Sequence, residues 1–99
     1  MQYNIVYTRL AKNDIKETAS YISATLKNPK AALDIVIALE KAIKNLEEFP
    51  YSHRVYVPHR LLEGEYRFIP VKNYLIFYTV DEEKKTVEIS RVIYAKRDI

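Results

Sequence analysis

The spacing of apolar residues changes once along this chain, and that change limits the folds open to it. From Ala11 to Phe49 they recur every three or four positions, whereas from Glu65 onward they alternate or run together. The first period lays an apolar stripe along one face of a helix; the second belongs to strands with one buried face. Helices are therefore expected first and a sheet last. Ala11, Ile15, Thr18/Ala19, Ile22 and Leu26 make one stripe, and Ala32, Ile35/Val36, Leu39, Ile43 and Leu46 make a second. Thr8 offers a side-chain oxygen to cap the first helix, which is expected to run from about Ala11 to Lys27. Asn28-Pro29 supplies a second cap followed by a first-turn proline, and Pro50 stops the second helix. So short a break between two helices returns the chain on itself, because only an antiparallel hairpin buries both stripes.

Strands are expected at Gln2–Tyr7, Glu65–Ile69, Tyr74–Val80 and Thr86–Tyr94, the last three joined by the short links Pro70–Asn73 and Asp81–Lys85. Such links make an antiparallel meander. With the opening strand at an edge and the hairpin on one face, the expectation is a single two-layer α+β domain over residues 1–99. Parity places Tyr66, Phe68, Tyr74, Ile76, Tyr78, Val87, Ile89 and Ile93 toward the helices. It places Glu65, Arg67, Leu75, Phe77, Thr79, Glu88, Ser90 and Tyr94 on the opposite face. Leu75 and Phe77 would then form an apolar patch on an uncovered face, a feature that marks a partner. Arg91 shares parity with core residues, so it is expected at a strand end or paired with an acid.

Composition narrows the chemistry. One glycine in 99 residues excludes the glycine-rich phosphate loops, and the absence of cysteine excludes thiolate nucleophiles, disulfides and zinc ribbons. His53 and His59 lack the spacing of a metal pair, so neither metal nor cofactor is expected. The net charge of +3 is unevenly placed: Arg9 precedes Pro50, while Arg54, Arg60, Arg67, Arg91 and Arg97 follow it. No acid lies between Phe49 and Leu62, so that segment carries a local positive field. The N-terminus lacks the pattern of a signal peptide and no run is long enough to cross a bilayer, so the expected location is the cytoplasm, away from membranes.

The order strand, helical hairpin, meander carries two distinctive segments: Tyr66-Arg67-Phe68-Ile69-Pro70-Val71-Lys72-Asn73-Tyr74-Leu75-Ile76-Phe77-Tyr78 and Ser90-Arg91-Val92-Ile93-Tyr94-Ala95-Lys96-Arg97-Asp98. Together these resemble the RelE/ParE toxins of type II toxin–antitoxin modules, the plasmid-stabilisation type, over essentially the whole chain. The resemblance implies a growth-inhibiting toxin held silent by a cognate antitoxin. Family members are either ribonucleases that cut mRNA on the ribosome or inhibitors of DNA gyrase. The first activity is the leading expectation and the second its alternative. A plain basic RNA-binding module is a more distant third.

Cleavage of RNA through its own 2′-hydroxyl requires a base, a cation against the developing phosphorane charge and an acid for the leaving oxygen. By resemblance, Arg67 and Arg97 would flank the scissile phosphate, guanidinium being suited to it by its fixed fork of donors. Tyr94 stands where many relatives carry histidine and would stack on a base or donate a proton. His59 is a candidate for proton transfer, and Arg60, Lys72 and Lys96 are candidate RNA contacts. No aromatic follows Tyr94 to match the C-terminal stacking residue of some ribosome-dependent members. Leu75 and Phe77 would receive the antitoxin.

Overall fold

The computed structural model describes residues 2–55 and 65–95. His59, Arg60, Lys96 and Arg97 lie outside these residues. The elements run β1 (Asn4–Tyr7), α1 (Arg9–Ser20), a π-helical turn (Tyr21–Thr25), α2 (Pro29–Asn45), β2 (Arg67–Val71), β3 (Tyr74–Asp81) and β4 (Thr86–Tyr94). Both expected caps form: the Ala11 amide donates to Thr8 Oγ1 at 3.0 Å, and the Ala31 amide to Asn28 Oδ1 at 3.0 Å. The strands form one sheet in the order β1-β4-β3-β2. β1 pairs parallel with β4, and the other two pairings are antiparallel. The opening strand is thus an edge strand and the last three make the meander, giving the two-layer α+β domain.

Leu39, Ile43 and Leu46 of the second stripe, with Ala11 of the first, meet Ile69, Ile76, Tyr78, Val87, Ile89 and Val92 of the sheet in one core. Full burial of an aliphatic side chain of this size contributes about 1.5–3 kcal/mol. The first stripe fails at its end, where Leu26 is 55% exposed. Its amide donates to Tyr21 C=O, five residues back, and this wider turn shifts the helical phase away from the core.

Scarcity of glycine leaves a mark on the turns. Lys27, Lys72 and Lys85 all hold positive φ, at 53°, 54° and 49°. Glycine normally takes that region at no steric cost, so a lysine there stores local strain. Lys72 matters most, because it occupies the first central position of the two-residue β2–β3 turn.

That turn also corrects the expected faces of β2. Val71 sits opposite Tyr74, so Ile69 faces Ile76 and Arg67 faces Tyr78, while Phe68 pairs with Phe77. Arg67 therefore lies on the helix side of the sheet and Phe68 on the open side, the reverse of the parity expectation. A second correction comes from a bulge. Phe77 pairs with Arg91 but Tyr78 with Ile89, leaving Ser90 as the extra residue. Beyond it the phase of β4 flips: Val92 and Tyr94 share the helix side with Ile76 and Tyr74, and Ile93 joins Leu75 on the open side. Arg91 consequently never shares the core phase, and it does pair with an acid, Asp14 of α1.

Candidate functional site

The expected site residues are divided between two ends of the sheet. Arg67 lies opposite Tyr78 on β2 and Tyr94 opposite Tyr74 on β4. Four residues of β3 separate these positions, roughly 14 Å along the sheet, and two strand spacings add roughly 10 Å across it. The two side chains thus start from backbone positions roughly 17 Å apart. Lys72, by contrast, is at the Tyr94 end, where the Ala95 amide donates to Asn73 C=O at 2.8 Å. Leu75 and Phe77 sit half-buried on the open face, as expected.

At the first end, the Arg67 side chain is only 16% exposed and both its terminal nitrogens donate. One terminal nitrogen donates to His53 C=O at 2.8 Å and the other to Glu65 Oε1 at 3.2 Å, while the guanidinium lies 5.0 Å from the Tyr51 ring centre. Tyr51 in turn donates from its phenol to Glu82 Oε1 at 2.6 Å, and Tyr3 donates to the same oxygen at 2.9 Å. Lys85 completes the cluster by pairing with Glu82. Bonds from Lys85, Tyr51 and Tyr3 hold the Glu82 carboxyl down at about 2, and the bond to Glu82 pushes the Tyr51 phenol up to about 12. Both groups keep one protonation state through the physiological range. Beneath them the buried Tyr78 donates to Pro50 C=O at 2.7 Å, and burial pushes its phenol up to about 12. Burial also lowers the His53 imidazole, so it stands neutral and uncharged beside Arg67.

The other end is a groove of about 710 Å³ between the α1 end and the free stretch of β4. Tyr21, Ile22, Leu26, Tyr74, Ile93 and Tyr94 give it apolar walls, and Asp14, Glu17 and Arg91 a polar side. Tyr94 stacks edge-on against Tyr74 with ring centres 5.5 Å apart, yet is 59% exposed. β1 pairs with β4 only as far as Ile89. Past that point Thr8 Oγ1 donates to Ser90 C=O at 2.8 Å, and Asp14 Oδ2 accepts the Val92 amide at 2.9 Å and Arg91 Nε at 2.7 Å. Burial alone would raise the Asp14 carboxyl, but the bonds from Arg91 and Val92 outweigh it and leave it lowered.

Sequence reasoning missed Tyr51, Glu82 and Asp14. The first two lie in loops with no periodicity to mark them; Asp14 was legible only as the acid that Arg91 required. Among the described residues, no group of three or more metal-binding side chains occurs.

A family model described as the ParE toxin of type II toxin–antitoxin system, parDE, matches residues 5–99. The chain belongs to this ParE toxin family. No curated protein matches it. Among solved structures, the chain is similar to the chromosomal ParDE toxin–antitoxin system from P. aeruginosa, with TM-score 0.77 and 18% identity over 96% of this chain and 98% of that one. It is also similar to the RelBE2 toxin–antitoxin complex from Mycobacterium tuberculosis, with TM-score 0.65 and 22% identity over 95% and 92%. The intact E. coli RelBE complex gives TM-score 0.65 and 18% identity over 96% and 99%. At such identities these likenesses establish the fold, and the family match establishes a toxin of the RelE/ParE type. No described helix of this ParE-family chain is long and apolar enough to cross a membrane.

Proposed function

We propose that this toxin stops growth by binding DNA gyrase, and that it does no chemistry of its own. The observation that carries the reading is the state of Arg67: remote from Tyr94, largely covered, and already donating to His53 C=O and Glu65. A ribonuclease needs its cations gathered around one phosphate and unsatisfied until substrate arrives. A docking toxin needs only a stable surface. The match to the ParE family supports the same side of the choice.

The partner that silences it is a cognate antitoxin, a reading supported by the solved toxin–antitoxin complexes this fold resembles. Its binding surface runs around the free end of β4. Tyr21, Leu26 and Tyr94 expose apolar area in the groove, and Ile93, 38% exposed, carries it over the strand to Leu75 and Phe77. A short apolar segment ordered on binding suits such a surface, with its side chains in the groove.

Induced expression followed by parallel pulse labelling tests the function. DNA synthesis falling before translation supports gyrase binding; translation falling first, with cut mRNA on ribosomes, returns the chain to the ribonuclease branch.

A further inference from the structure

Residues 50–55 form a strap across the outer edge of β2. Val55 bridges Arg67, the Phe68 amide donates to Arg54 C=O at 3.1 Å, and His53 C=O accepts from Arg67 at 2.8 Å. The first two residues of the strap are held differently. Pro50 is buried and its carbonyl is bonded to the fully buried Tyr78, so this end is fixed in the core. Tyr51 is 48% exposed, and what holds it is a set of side chains: the Glu82 carboxylate at its phenol, the Arg67 guanidinium against its ring, and Tyr3 edge-on at 6.4 Å. Segments tied by exposed bonds with little buried apolar area open locally at far lower free energy than the core.

We propose that Tyr51 is the pin of a strap that opens about Pro50: clamped between Arg67 and Glu82, it keeps residues 51–55 closed over β2, and its release uncovers both the Phe68 amide and the Arg67 guanidinium. The carboxylate beside Arg67, Glu65, is 62% exposed, and both His53 C=O and the Tyr51 ring against the guanidinium belong to the strap. Glu82 controls the pin from the β3–β4 hairpin, 31 residues away in sequence. The closed form therefore requires that hairpin and the strap to agree.

The test uses the full chain and two readouts, amide hydrogen exchange and the rate of Arg67 modification by phenylglyoxal, each followed by mass spectrometry or NMR. Tyr51→Phe keeps the ring but loses the bond to Glu82, and Glu82→Gln loses the charge. Both are expected to speed exchange of the Phe68 amide and modification of Arg67 several-fold, with the Ile76 and Ile89 amides of the central strands unchanged. Tyr3→Phe leaves the Tyr51 bond and should stay near wild type. Unchanged Phe68 and Arg67 rates in either of the first two variants would overturn the proposal. So would an equal rise at Ile76 and Ile89, which marks global loosening, or a rise of the same size in Tyr3→Phe. Neither readout involves antitoxin or gyrase, so its failure is separate from failure of the functional reading.

Discussion

Asp14 and Arg91 are joined across 77 residues by two bonds, Nε to Oδ2 at 2.7 Å and a terminal nitrogen to Oδ1 at 2.9 Å, while Oδ2 also takes the Val92 amide. The aspartate thus stands where a further strand would satisfy the edge of β4. Asp14→Ala should destabilise the fold by about 1–3 kcal/mol in urea unfolding, chiefly through the Val92 amide left without an acceptor. The sign with pH follows from the lowered carboxyl. Its folded value lies below its ordinary 3.8, so its contribution is complete above that value and is lost as pH falls through the lower one. Wild type should therefore lose stability below about pH 4 more steeply than Asp14→Asn; parallel curves for the two proteins would remove Asp14 from the account.

Lys72 holds φ at 54° in the first central position of a two-residue turn, where glycine is preferred. Replacing it with glycine should raise stability by roughly 0.5–1 kcal/mol, the relieved strain outweighing the added freedom of the unfolded chain. The urea midpoint is the measurement, with an unchanged slope. A lower midpoint would mean that the lysine side chain makes up for its backbone.

Leu39 is fully buried at the centre of the α2 stripe. Leu39→Ala should cost about 2–5 kcal/mol, through lost transfer energy and the cavity left behind. Leu33, 59% exposed on the same helix, should cost little when changed to alanine. Thermal unfolding of the pair tests the orientation of α2 directly.

The proposed antitoxin surface should fail at both of its halves. Leu26→Asp in the groove and Leu75→Asp on the open face are each expected to abolish co-purification with the antitoxin while far-UV circular dichroism stays native. Loss with one variant alone would confine the surface to that side of β4.

Much of this architecture was legible. Both helix caps, the second stripe and the meander follow from local spacing and residue type, and Arg91 announced its need for an acid by falling out of pattern. What local pattern did not carry was hydrogen-bond register. A two-residue turn sets the phase of β2 and a bulge at Ser90 resets β4, and neither changes the apolar run that surrounds it. Those two features moved Arg67 under the strap and exchanged Ile93 with Tyr94, so that Arg67 and Tyr94 both left the open face where parity had placed them. The Tyr51–Glu82 contact was invisible for a related reason, since it joins two loops by fold alone.

The central claim is that this toxin acts by occupying a protein target and not by cutting RNA. Purified toxin, freed of antitoxin, can be added in parallel to gyrase with relaxed plasmid and to ribosomes carrying a defined mRNA. The account predicts that supercoiling is inhibited while the mRNA stays intact. Cleaved mRNA with unimpaired supercoiling would contradict it.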